Sequence, residues 1–270
     1  MNGTHSSTHS RPAGSPWGSG QLAALADRFD AISLTDAAGA ALQDRRDRKY
    51  VVAAAALPEL LAGLESSYRA LEVCGERAQR YRTLYFDTTE LGSYFDHHRD
   101  KPARFKVRRR EYVSSGVAFL EVKRRTPAGR TVKSRIASCW QPALPADEAE
   151  WLRDDRQLSG SFSPQLANRF TRLTLVSSAR PERVTVDAAI SFLRCGERVD
   201  LVGAAIVEVK DEGSGSESRV AARLRAAAQR PAGFSKYCTG LALLEPQLKR
   251  NAFKAHLRRL PHFAGSDSHV

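Results

Sequence analysis

Between Ala103 and Ile136 the chain reads ARFKVRRREYVSSGVAFLEVKRRTPAGRTVKSRI, with charge at every second residue through three successive segments. Lys106, Arg108 and Arg110 alternate with Phe105, Val107 and Arg109. Glu121, Lys123 and Arg125 alternate with Leu120, Val122 and Arg124, and Lys133 and Arg135 alternate with Val132, Ser134 and Ile136. Side chains on a strand repeat every two residues, so each set occupies one face. The intervening VSSG and TPAG have the composition of hairpin turns. Antiparallel neighbours share their faces, so these sets merge in register into one cationic surface. The fold has to provide for that surface.

The rest of the chain supplies more strands and several helices. Asp47 to Val52, Arg80 to Asp87, Asn168 to Val176, Arg183 to Asp187 and Ala204 to Lys210 are rich in aromatic and β-branched residues. Phe170, Arg172 and Thr174 share a face, as do Arg183, Thr185 and Asp187, and Ile206, Glu208 and Lys210. Cys195-Gly196-Glu197 marks a turn. A long helix is expected from Pro58, with Leu57, Leu60, Leu61, Leu64, Tyr68 and Leu71 on its buried stripe. Further helices are expected over 146–158, over 217–229 with Val220, Leu224 and Ala228 inward, from Ser235, and from Pro246 to about Leu260. Gln21 to Gln43 is helical in character. Residues 1–20 read as a low-complexity tail and 261–270 as a second one, leaving 21–260 as a single domain.

Across 270 residues, 42 Lys and Arg stand against 30 Asp and Glu, a formal excess of +12. That balance calls for a polyanionic partner, and the alternation shows the charge to be organised. A nucleic-acid surface would interleave exposed aromatics for base stacking, and few occur here. The four cysteines are far apart with neither metal-ligand nor disulfide spacing. His97 and His98 are expected in a loop. The first twenty residues have no apolar core, and the longest apolar run, Val51 to Leu57, is too short to span a bilayer. A cytoplasmic, soluble protein is the expectation. GxxxxGK[ST] and GxGxxG are absent, which argues against P-loop and dinucleotide folds.

An antiparallel sheet with charge on one face and Phe105, Val107, Leu120, Val122, Val184, Val186, Val207 and Val209 on the other has two forms. It can be a flat basic platform or a closed barrel. Amphipathic helices can cover the apolar face from outside, which sends the charges inward, where only a hydrated anion-binding lumen tolerates them. Closure also removes sheet edges. The expected fold is therefore α+β: a closed antiparallel barrel of about eight strands forming a cationic tunnel, with helices packed outside. Lys106, Lys123, Arg135 and Lys210 are lumen candidates from this pattern. Glu121-Val122-Lys123 and Glu208-Val209-Lys210 each set a carboxylate and an ammonium about 6–7 Å apart on one strand face. In a basic lumen such a carboxylate can hold a divalent cation against phosphate oxygens.

DRKYVV, LYFDT, the KxRxR element with a following Tyr, FLEVK, VKSR, the later EVK and FSKY stand here in the order found in VTC domains. The chain resembles that family, the polyphosphate-polymerase domains within the triphosphate tunnel metalloenzymes, from about Phe29 to about Leu244. The resemblance implies a barrel that binds ATP and a growing phosphate chain, with Mn²⁺ (or Mg²⁺) assisting transfer to polyphosphate, pyrophosphate or orthophosphate. It implies phosphate contacts from Lys49, Arg108, Arg110, Lys133, Arg172, Arg183, Ser235 and Lys236, and a metal role for Glu208; Glu121, from the other EVK triplet, is the second candidate. Arg108, Arg110, Arg172 and Lys236 would neutralise the transferring group. Phe170 departs from the family's usual Tyr. The phosphate-sensing and membrane-spanning domains that accompany eukaryotic members are not in this sequence, as expected of a free-standing catalytic domain.

Three other readings stay open. An inorganic or RNA 5′-triphosphatase of the same fold and a class IV adenylyl cyclase-like enzyme would both carry ExExK, where this chain has DRKYVV. The third is a polyanion-binding module without catalysis.

Overall fold

The computed structural model describes residues 17–38, 46–155, 158, 160–212 and 218–260; residues 1–16 and 261–270, most of both expected tails, lie outside that range. The alternating segments form strands as expected. Named in chain order they are β1 (Ala31–Ile32), β2 (Arg46–Ala53), β3 (Tyr68–Leu71), β4 (Ala78–Asp87), β5 (Arg104–Tyr112) and β6 (Val117–Arg125). After these come β7 (Thr131–Ser138), β8 (Ser163–Ser177), β9 (Glu182–Arg194), β10 (Glu197–Asp200) and β11 (Ala204–Asp211). They build one 11-stranded sheet whose main path runs β2-β11-β9-β8-β4-β5-β6-β7, every neighbouring pair antiparallel. Cys195 and Gly196, with φ of 49° and 85°, make the turn between β9 and β10.

The expected closed barrel is corrected here: among the described residues β2 and β7 do not pair, so backbone hydrogen bonds do not close the sheet. It nevertheless curls. Six strand spacings separate β2 from β6, which would be about 29 Å in a flat sheet. Yet Lys49 on β2 is among the charges that act most strongly on Lys123 of β6 and Lys106 of β5. The strand β7 is left as an exposed edge and carries Lys133 and Arg135, charges of the kind that discourage edge-to-edge pairing.

Eight helices accompany the sheet among the described residues: α1 (Ser19–Ala26), α2 (Leu34–Ala38), α3 (Leu57–Leu61), α4 (Gly92–His98), α5 (Ala146–Asp154), α6 (Arg219–Ala226), α7 (Lys236–Leu244) and α8 (Lys254–Leu257). On the apolar side, α1, α3 and α6 cover Leu173, Leu175, Val184, Val186, Val207 and Val209. Leu152 of α5 packs with Leu84, Val107, Leu120 and Val122. Arg109 points to that same side, fully buried, where Glu148 neutralises it and Ser138 Oγ accepts at 2.9 Å.

Packing of all helices outside is the second correction. Tyr94 of α4 and Tyr237, Cys238 and Leu241 of α7 pack on the opposite face, against Val51, Tyr85, Leu166, Phe192 and Ile206. That face is therefore charged along part of its length and apolar under α7 along the rest. Asp87, fully buried at the end of β4, ties the two helices to the sheet. It accepts from the backbone N–H of Ser93 (2.9 Å) and Tyr94 (3.1 Å) and from the Tyr237 hydroxyl (2.6 Å).

The helix expected from Pro58 stops at Leu61, because Gly63 takes a left-handed φ of 70° and Tyr68 to Leu71 then extends as β3. The apolar stripe remains core, with Leu57, Leu61, Leu64 and Tyr68 buried. Ala228 lies exposed beyond α6 rather than inward, and the segment after Pro246 holds only a 3-10 turn (Asn251–Phe253) and α8. His97 and His98 end α4 instead of lying in a loop.

Gly240 is where α7 comes closest to the sheet: a Cβ there would sit 2.6 Å from both Leu166 and Phe192 side-chain carbons. Gly240→Val is expected to cost about 1–3 kcal/mol through overpacking. The check is a lower urea midpoint at unchanged slope; an unshifted midpoint would mean α7 is not seated against the sheet.

Candidate functional site

The registers place the charged positions on one curled face. Across β5, β6 and β7, Lys106, Lys123 and Lys133 stand directly opposite one another, and the next rung is Arg108, Glu121 and Arg135. Across β2, β11 and β9 the matching rungs are Lys49, Glu208 and Thr185, then Asp47, Lys210 and Arg183. Arg172 on β8 pairs with Asp187 on β9. Helix α7 adds its N-terminus: Ser235 caps it, accepting from the Cys238 N–H at 3.3 Å and from Lys106 Nζ at 2.7 Å.

Three buried or nearly buried carboxylates each lie between two cations. Glu208 meets Lys49 at 2.7 Å and Lys210 at 2.8 Å. Glu121, fully buried, accepts from Arg108 Nε at 2.7 Å and pairs with Lys133. Asp187 accepts two bonds from Arg172, at 2.5 and 2.8 Å, and pairs with Lys236. Burial pushes these carboxyls up, but the surrounding cations outweigh it: Glu121 is held at about 2, and Asp187 and Glu208 well below the usual carboxylate range.

Not every cation is so compensated. Lys123 makes no hydrogen bond or ion pair among the described residues. Burial first, then Lys49, Arg108 and Lys106, push its ammonium down to about 7. Burial pushes Lys236 down to about 8 despite Asp187, and burial with Arg108 and Arg172 brings Arg110 to about 10. Arg110 has only a 3.3 Å bond to Thr83 Oγ1 and the rings of Tyr81 and Phe170 beneath it. Phe170 stacks on Tyr81 at 5.0 Å and carries Lys236 Nζ 4.3 Å from its ring centre. Its aromatic face thus does the work of holding cations, with no hydroxyl required.

All the cations expected at the site lie on the strands and helix end that build this face, but not equivalently. Lys133 and Arg135 sit on the exposed strand β7, Arg135 stacked 4.3 Å over Phe119, and Arg183 donates to the Ala37 carbonyl of α2 at 2.9 Å. Asp187 was visible in the alternation beside Arg183 and Thr185 but had been given no role. Sequence reasoning also passed over two buried polar groups with no partner among the described residues: the Thr185 hydroxyl, cross-strand from Glu208, and the Asn168 amide.

The VTC domain family model matches residues 44–245. The chain belongs to the VTC domain family. No curated protein matches it in sequence. Among solved structures, this VTC domain is similar to a candidate adenylyl cyclase from Hippeastrum with a dominant triphosphatase activity (14% identity over 73% of this chain and 94% of that one, TM-score 0.47). It is also similar to a candidate adenylate cyclase from Bacillus halodurans (15%, 71% and 94%, TM-score 0.45). No helix among the described residues of this VTC domain is long and apolar enough to cross a membrane.

Stability should follow the carboxylate clamps. Their folded-state pKa values are depressed, so their contribution is complete above the ordinary carboxyl pKa and is lost as pH falls toward 2. Asp187→Ala leaves Arg172 and Lys236 without their carboxylate, at a cost of about 3–5 kcal/mol. Thermal unfolding should show the variant melting well below wild type at pH 7, with the gap narrowing as pH falls from 4.5 to 2. Parallel curves across that range would deny the clamp its role.

Proposed function

We propose that this VTC domain transfers the γ-phosphoryl group of ATP to the end of an inorganic polyphosphate chain held along the charged face. The observation that carries the reading is the rung Lys106–Lys123–Lys133. Like charges directly opposite one another destabilise a sheet, and Lys133 alone of the three has a carboxylate partner among the described residues, the diagonal Glu121. A row of this kind is useful to a chain whose ligand is a linear polyanion. The family membership and the missing ExExK favour transfer over hydrolysis.

Phosphoryl transfer asks mainly for positioning and for charge placed around the moving group. Arg108, Arg110, Arg172 and Lys236 converge from β5, β8 and α7 and would hold the equatorial oxygens. Lys49, Lys106, Lys123, Lys133, Arg135, Arg183, Lys210 and Ser235 would line the path of ATP and product. The acceptor, a terminal phosphate oxygen, is already anionic at neutral pH and needs no general base. Phosphate arriving beside Lys123 would restore the proton that burial and its neighbours make easy to lose.

A divalent cation, Mn²⁺ or Mg²⁺, belongs to this reading. The described residues contain no cluster of three or more His, Cys, Asp and Glu side chains to hold one. They do fit an ion bound mostly through phosphate oxygens and water, with Glu208 and the unpartnered Thr185 hydroxyl as the protein's hard oxygen donors. When bound it would neutralise charge on the triphosphate. Glu208 would first have to give up one of its two lysines.

Incubated with Mn²⁺ and pyrophosphate, γ-labelled ATP should give ADP and labelled chains longer than the primer. Orthophosphate as the sole labelled product, under every metal and primer tried, would make the protein a triphosphatase. Glu208→Gln should lower metal-dependent turnover on the order of 100-fold while ATP binding falls far less; unchanged turnover would pass the metal role to Glu121.

A further inference from the structure

The ladder of cations on β5 and β6 does not stop at Lys106 and Lys123. One rung further on, Arg104 stands directly opposite Arg125, on the same face by the unbroken two-residue alternation of both strands. In the other direction the ladder ends: Arg110 faces Phe119, and Tyr112, Phe119 and Tyr81 form an aromatic cluster. The face is thus polar in its sequence of groups, aromatic beyond Arg110 and cationic beyond Lys106.

The outer rung has the marks of an anion position. Arg125 is exposed and has no hydrogen bond or ion pair among the described residues. Arg104 is held in place, donating to Asp100 at 2.9 Å and to the Lys101 carbonyl at 2.6 Å. Asp100 is itself exposed and is the carboxylate that the structure pairs with this rung. His97 of α4 lies beside it. Burial first, then Lys106, Arg104 and Arg125, hold its imidazole at about 3, so it adds no charge at neutral pH, and its buried Nδ1 has no hydrogen-bond partner among the described residues. Two arginines facing each other with one exposed carboxylate nearby repel unless an anion lies between or above them.

We propose that Arg104 and Arg125 form an outer subsite for the phosphate chain, on the route by which polyphosphate leaves the reacting end, so that long chains are gripped where short ones are not. The inference rests on the function proposed above. Six residues separate the Arg110 and Arg104 rungs, about 20 Å along the strand. Tripolyphosphate is too short to reach both, whereas a long chain anchored at Arg108 and Arg110 passes Lys106 and Lys123 and arrives at Arg104 and Arg125. The subsite therefore reads chain length.

The test compares dissociation constants of tripolyphosphate and of size-fractionated long-chain polyphosphate for wild type, Arg125→Ala, Arg125→Lys and, as a charge control on the outer layer, Arg153→Ala. The preference for the long chain should fall at least fivefold in Arg125→Ala, be largely retained in Arg125→Lys, and match wild type in Arg153→Ala. Arg125 is exposed, and an unchanged melting temperature would confirm that Arg125→Ala folds. An equal loss for both ligands, or no loss for either, overturns the outer subsite. So does a wild type that binds the long chain no tighter than tripolyphosphate. A wild type that binds neither ligand brings down the phosphate-transfer reading itself, which separates the two failures.

Discussion

Repulsion between cations gathered on one face of a sheet is the constraint around which this molecule is built. Lys49, Lys106, Arg108, Arg110, Lys123, Arg172, Lys210 and Lys236 all come from strands or a helix end that meet there. At close range each unscreened pair costs ~1–4 kcal/mol. Glu121, Asp187 and Glu208 offset part of that cost, and the aromatic platform of Phe170 and Tyr81 offsets more. What is left over is centred on Lys123, and in the function proposed above a bound polyanion would offset it. The two helices on the charged side follow the same logic. They fill only the apolar half of that face and present the N-terminus of α7, with its partial positive charge, to the other half.

The strands and their faces were legible because alternation in β5, β6, β7, β9 and β11 is a two-residue signal that needs no knowledge of distant partners. The registers agree with it: Lys106, Lys123 and Lys133 do share a rung. The helix from Pro58 was over-read because Tyr68 and Ala70 are buried in a strand that pairs with β8, and burial at helical spacing cannot be told from this by pattern. The placement of α7 inside was hidden for a related reason. Its partners, Leu166, Phe192 and Ile206, are far away in sequence, and an apolar helix carries no mark of which side of a sheet it will cover. Closure of the barrel was inferred from helices covering the apolar face and charges turned inward, with the hiding of edges as a further reason; part of the charged face is instead covered by α4 and α7, and β7 remains an edge.

At the site, the cations could be found because there are many of them in phase, and a repeated signal survives noise. Asp187 could not be singled out, since one acid in a strand reads as an ordinary counter-ion until Arg172 and Lys236 are seen on either side of it. Thr185 was placed on the face of Arg183 and Asp187 but, like Asn168, carried no sign of a role. Their interest comes only from being buried without partners among the described residues.

The most direct measurement is the thermal stability of the protein with tripolyphosphate and with sulfate at equal ionic strength. A ligand that binds only the folded state at a hundred times its dissociation constant adds about 2.7 kcal/mol. In a domain of this size that raises the melting temperature by roughly 5–10 °C. A rise of that order is expected with tripolyphosphate and little with sulfate, and Lys123→Gln, which breaks no ion pair among the described residues, should reduce it while the protein still folds. Equal shifts with both anions, erased together by salt, would contradict a built site on the charged face.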